Sequence, residues 1–315
     1  MQKTGLYYII LNNHLLKKGG DRMNSYLRSI GFRNLKNRRD MNRLIDDIVK
    51  NPDKKIITED GDGNVFAELS REFGQFIGIA VRGEYLDDVN FHVDCYYPYF
   101  IGSGVTTEEK VEIEKRSDRE AYAGICDEMR IGVTLIFYLQ NVVEYLQESR
   151  SKNGRRIPIN TTISALSTGG KIVLPVYKNE SQIKSSEKYN NNRNHLMAAA
   201  REGDEEAMES LTLEDIDTYS MISKRIMKED ILSIVDTYFM PYGIESDQYS
   251  IMGKILDFYT LQNKQTQEKC YVLTLDSNHL IFDVCINEED LLGEPAPGRR
   301  FKGTIWMQGQ VHYNI

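Results

Sequence analysis

The chain has 315 residues, a formal net charge of -8 and 41% apolar against 27% charged residues. That length exceeds one typical domain and that apolar share supports packed cores, so a globular chain of about two or three domains is expected. The acidic balance excludes broad electrostatic adhesion to nucleic acid or anionic lipid, and the richest apolar run, Ile131 to Leu139, is too short to span a bilayer.

At the amino end, Leu6 to Leu11 is apolar but lacks the basic start and small-residue cleavage site of a secretory signal. Codons for Lys18-Gly19-Gly20-Asp21-Arg22 can spell a purine-rich ribosome-binding site ahead of Met23, so residues 1–22 are read as a mis-assigned start or a disordered leader. Met23, Tyr26, Leu27 and Ile30 then keep helical spacing up to Gly31. Met41, Leu44, Ile45, Ile48 and Val49 do the same behind Asp40 as the cap, as far as Asn51-Pro52.

From Lys54 the texture becomes short β-branched and aromatic runs: 55–59, 65–72, 76–82, 91–98, 110–116, 121–128 and 130–139. They are expected to form one antiparallel sheet. A helix over 139–149 and a hairpin with arms 158–166 and 171–176, reversing at Thr168-Gly169-Gly170, complete an α+β antiparallel-sheet domain over 23–177. Residues 178–193, with Ser185-Ser186 and Asn190-Asn191-Asn192, have a linker's composition.

An acidic helical segment over 194–247 follows. It holds helices at Leu196 to Ala200, behind Asp204, behind Thr212 with Asp215, and from Asp230 to Tyr238. Five short strands over 250–315 (252–261, 269–275, 280–286, 300–308 and 311–313) suit a small β-barrel of the oligonucleotide/oligosaccharide-binding (OB) type.

Chemistry-bearing patterns are sparse. Asp60-Gly61-Asp62-Gly63-Asn64 starts like a calcium loop, but Val65 and Arg71 occupy the positions that need Gly and Glu, so it reads as a turn. His92 and Cys95 fall on opposite faces of a strand unless a bulge intervenes. Cys270 and Cys285 would face each other across a turn at Ser277-Asn278, as two small apolar side chains filling one layer, as a redox pair or as half a metal site. The four cysteines, in a chain without an export signal, read as free thiols in a reducing compartment.

Glu205, Glu206, Glu209, Glu214, Asp215 and Asp217 read as a solvated helix face. Hydrolase, phosphate-loop and dinucleotide motifs do not occur, and neither a metal site nor a cofactor is expected. Arg300, Lys302 and Trp306 share the more polar face of one strand. They are the candidate binding residues, as a stacking and phosphate platform for single-stranded nucleic acid or, for Trp306, as a surface buried under the helical segment.

Several strings look familiar together: Ala199-Ala200-Arg201-Glu202-Gly203-Asp204, Phe239-Met240-Pro241-Tyr242-Gly243, Phe282-Asp283-Val284-Cys285-Ile286-Asn287 and Gly298-Arg299-Arg300-Phe301-Lys302-Gly303-Thr304-Ile305-Trp306. From about Met23 onward the chain resembles a family of clostridial proteins classified as a domain of unknown function. The resemblance implies a cytoplasmic Firmicute protein and carries no activity or site with it. The residues themselves favour a non-enzymatic binding or scaffolding protein whose interdomain cleft or barrel face engages a partner, with a protein or single-stranded nucleic acid as the open choices and no membrane. The alternatives are a nucleic-acid-associated protein using the barrel face and an enzyme whose site forms between domains.

Overall fold

The structure, a computed structural model, describes residues 25–35, 37–59, 65–86, 90–116, 121–149, 157–177, 179–226, 231–243 and 246–314. The leader over 1–22 and the turn over 60–64 lie outside them.

A short 3-10 turn, Leu27–Ile30, opens the described chain. Gly31 ends it at a φ of 88°, a conformation that costs glycine no Cβ clash. Helix α1 (Arg38–Lys50) buries Met41, Leu44, Ile45 and Ile48, the expected stripe. Its cap is Asn37 rather than Asp40: the Asn37 side chain accepts from the Asp40 amide at 2.8 Å.

Strands β1 (Lys54–Glu59), β2 (Val65–Gly74), β3 (Ile77–Tyr85) and β4 (Phe91–Phe100) form a four-stranded antiparallel meander. The sheet expected to continue through residue 139 stops there. After Phe100 the chain crosses away and Thr107 bridges Thr161. β5 (Glu112–Arg116), β6 (Ala121–Glu128) and β7 (Val133–Leu139) join a second sheet through parallel pairing of β7 with β14 (Arg300–His312). Helix α2 (Val142–Ser149) follows, burying Val142, Val143 and Leu146.

The expected hairpin over 158–176 is instead one strand, β8 (Asn160–Val173). Neither Gly169 nor Gly170 has a positive φ. Gly170 is bare because the Phe301 ring lies on it: a Cβ there would sit 2.2 Å from Cε2 of Phe301, and one at Gly303 would sit 2.6 Å from its Cζ. These glycines admit an aromatic ring; they do not reverse the chain.

The expected linker is also structured. Helix α3 (Glu180–Arg201) runs through it, and α4 (Glu205–Ile226) returns alongside as one helix where two were expected. Gly203, at a φ of 92°, and Asp204, whose carboxylate accepts from the Glu206 and Ala207 amides, make the hairpin turn. Met197, Ala200, Ala207 and Leu211 form its small core, with Met129 packed against it. A short α5 (Ile231–Ile234) and strand β9 (Tyr238–Pro241) stand where a longer helix was expected.

β10 (Gln248–Gln262), β11 (Lys269–Ser277) and β12 (Leu280–Asn287) form a meander, followed by the two-residue β13 (Leu291–Leu292) and by β14, which continues without a break to His312. β8 pairs with β12 in parallel and with β14 antiparallel, and β14 pairs with β10, so the ring β8-β12-β11-β10-β14 closes as a five-stranded barrel. The barrel therefore does not consist of residues 250–315 alone; β8 supplies a stave. Its interior holds Ile163, Ala165, Ile251, Leu273, Phe282, Val284, Phe301, Ile305 and Met307. A second core lies outside the ring, where the first sheet, α1 and the 3-10 turn cover Leu166, Cys270, Val272, Cys285 and Trp306.

Candidate functional site

Alternation along β14 holds as expected: Phe301, Ile305 and Met307 point into the barrel, while Trp306 belongs to the outer core. Trp306 is 2% exposed, with the rings of Tyr26 and Tyr138 at 5.2 and 5.3 Å and its indole N–H donating to Asp247 at 3.0 Å. The rings that cover it come from the amino-terminal turn and β7, and from the expected helical segment only Asp247, at its end, reaches the indole. An indole so enclosed offers no open face for stacking. Lys302 lies across from Lys171, with its ammonium 5.9 Å from the Tyr238 ring centre.

Arg300 is buried at 4% exposure. Its guanidinium donates to the carbonyls of Leu174, Leu232, Val235 and Asp236, and burial holds its pKa below the ordinary value against a smaller opposing pull from Asp236. These acceptors are neutral carbonyls, so they satisfy the hydrogen bonds without cancelling the charge. Lys254 stands directly across from Arg300 on β10, and Asp276 stands on the far side of Lys254 on β11. Like charges directly opposite each other on a sheet are destabilising unless a counter-charge is supplied.

This row forms part of the wall of a cleft of about 800 Å³ between the barrel and the helical hairpin. On the barrel side it continues with Arg130 and His279. Arg130 is already neutralised by Glu128 at 2.6 Å, and its other bonds go to the carbonyls of Thr106 and His279. His279 sits at the turn joining β11 to β12, which the structure places at Asn278-His279, both with positive φ, one residue beyond the expected position.

The helical wall has two regular rows. Ser185, Tyr189 and Arg193 are spaced i, i+4, i+8 on α3, and Thr218, Met221 and Arg225 are spaced i, i+3, i+7 on α4, so each helix turns one face to the cleft. Arg193 lies 3.7 Å from Glu214. Among the described residues, five Arg and Lys side chains line the cleft against the two carboxylates of Asp236 and Asp276, in a chain of net charge -8. The volume falls in the range of small-molecule sites.

The other sequence candidates do not assemble. Changing the turn moves the β11–β12 register, so Cys270 faces Asn287 and Cys285 faces Val272. The two thiols become diagonal neighbours, about 7–8 Å apart between Cα atoms and beyond ordinary disulfide reach. Both are fully buried, and burial with the neighbouring Cys270 pushes the Cys285 thiol well up. That keeps it protonated and unreactive. A bulge does interrupt the β3–β4 register at Asp94, but Cys95 is buried while the His92 ring contacts Asp94 at 3.1 Å. Among the described residues, no group of three or more His, Cys, Asp or Glu side chains gathers where a metal ion could be held. Glu205, Glu206, Glu209 and Asp217 are exposed, as a solvated face requires.

A smaller groove of about 410 Å³ lies between α1 and the loop over 263–268, and contains Asp40, Arg43, Asp47 and Glu268. Its carboxylates are already engaged, Asp47 by Arg71 and Glu268 by Asn34 and Asn287. No helix among the described residues is long and apolar enough to cross a membrane.

The fold and cleft define a mixed α+β protein with a closed five-stranded barrel and a charged cleft at one end. The chain belongs to the family described as a domain of unknown function, E. rectale gene description (DUF3881), which matches residues 27–309. No curated protein and no solved structure matches it.

Proposed function

We propose that the chain is a non-enzymatic binding protein that takes an anionic ligand in the cleft between the helical hairpin and the barrel. The observation that carries this reading is the pair of Lys254 and Arg300, opposed across two strands and facing one cavity; among the described residues neither forms an ion pair with a carboxylate. A bound anion adds counter-charge to a cleft in which the described Arg and Lys side chains outnumber the carboxylates of Asp236 and Asp276.

The barrel itself is read as a circularly permuted OB barrel. Support comes from the pairing order: the meander β10-β11-β12, the parallel pair β12–β8, and antiparallel closure through β14. That is the ring of an OB barrel with its last strand moved ahead of its first along the chain. In such barrels the outer face of the second and third strands usually carries the ligand. Here the corresponding face, with Cys270, Val272 and Cys285, is buried in the second core, so the open end beside the helices is the available site.

Isothermal titration of the full chain with inorganic pyrophosphate tests the reading. Saturable binding is expected, weakened about tenfold by Lys254→Glu and weakened further as salt is raised. Absence of binding, or indifference to Lys254→Glu, would refute it, and turnover of a bound phosphoanhydride would show an enzyme.

A further inference from the structure

The anion-binding reading leaves part of the cleft unexplained, because an aromatic ring and a thioether stand in it among the cations. Lys254 comes from within β10, Arg300 from the start of β14 and His279 from a turn of the barrel, whereas Tyr189 and Met221 come from the two helices, each beside an arginine of the same helix row, Arg193 or Arg225. Tyr189 is 41% and Met221 57% exposed. The buried positions of the same helices are taken by Met197, Ala200, Ala207 and Leu211, and Met208, Leu213 and Ile216 of α4 are exposed as well, so what marks Tyr189 and Met221 is that they line the charged cleft. A small inorganic anion needs neither an aromatic ring nor a thioether.

From this juxtaposition we infer that the ligand is a nucleoside phosphate, its base lying against Tyr189 and Met221 and its phosphate turned toward Lys254. The inference rests on the anion-binding reading and adds the aromatic contact. A planar base presents a π-face to a tyrosine ring whatever its edge pattern, and the polarisable Met221 sulfur adapts to such a ring. Ser185, Thr218 and Asn278 line the same cleft and supply hydroxyl and amide groups for a ribose or a base edge. The cleft volume of about 800 Å³ accommodates one nucleotide.

The test compares ATP, inorganic pyrophosphate and adenosine by titration calorimetry on the full chain, on Tyr189→Ala and on Lys254→Glu. ATP is expected to bind at least about tenfold more tightly than pyrophosphate, the gain of one stacked base. Tyr189→Ala should abolish that difference while leaving pyrophosphate affinity unchanged; Lys254→Glu should weaken both phosphates and leave adenosine unaffected. Equal affinity for ATP and pyrophosphate in the parent chain would overturn the nucleoside inference and leave the anion reading standing. Binding of neither would overturn both. A Tyr189→Ala chain that loses both ligands equally would show that the ring holds the hairpin rather than the base, and would also overturn the inference.

Discussion

With a guanidinium at 0% exposure, Arg82 must be satisfied where it stands. It does so by joining the two sheets: it pairs with Glu68 at 2.7 Å across β2 and β3, donates to the hydroxyls of Tyr97 and Tyr138, and reaches the carbonyls of Leu139 and Gln140. Burial opposes its charge, yet Tyr138, Tyr97 and Glu68 together hold its pKa well above the ordinary value. Arg82→Ala should cost about 3–5 kcal/mol in urea unfolding, and Arg82→Met less, because Met refills the space without stranding a charge.

Trp306→Ala should cost about 3–5 kcal/mol on the same measurement, since the indole is enclosed; an exposed platform residue would cost well under 1. Glu128 gives a pH dependence. Its burial raises its pKa, but the Arg130 hydrogen bonds outweigh this and hold it below the ordinary value. A folded value below the unfolded one means that the stabilisation is complete above the unfolded pKa of about 4.3 and fades as pH falls through the folded value. The thermal midpoint should therefore drop with acid below about pH 4.3, and less steeply in Glu128→Gln.

At the scale of elements, local periodicity is legible in the sequence. The stripe Met41, Leu44, Ile45, Ile48 became the buried face of α1, and the alternation through Phe301, Ile305 and Met307 became the barrel interior. What periodicity does not carry is the partner. β8 pairs Gly170 with Gly303, far along the chain, and nothing local to Gly169-Gly170 distinguishes a tight reversal from a place where a distant ring must fit. Helix α3 was hidden because composition reports solvation, and a polar hairpin helix is as solvated as a linker. Its Ser185, Tyr189, Arg193 row is a helical signal that only becomes visible once the segment is taken as a helix. The two glycines separate the packing account from the turn account. Gly170→Ala should cost about 1–3 kcal/mol through its clash with Phe301, and Gly169→Ala, with open space around it, should lie within about 0.5 kcal/mol of the parent in thermal or urea unfolding.

For the whole molecule, the two cores divide the labour. The barrel interior sets the ring, and the outer core, tied by Arg82 and by the amino-terminal arginines Arg28 and Arg33 on Asp290, closes off the barrel face that the sequence nominated for binding. What stays open is the opposite region, where the helical hairpin meets Lys254 and Arg300. Of that site the sequence showed Arg300 alone, because its remaining members come from α3, α4, β10 and the β11–β12 turn and converge only through the fold. The measurement that tests the account most directly is a calorimetric titration of the full chain with pyrophosphate, beside Lys254→Glu and a Lys171→Glu control, Lys171 being outside the cleft lining. The account predicts saturable binding that Lys254→Glu weakens about tenfold and Lys171→Glu leaves nearly unchanged; no binding, or equal loss in both variants, would contradict it.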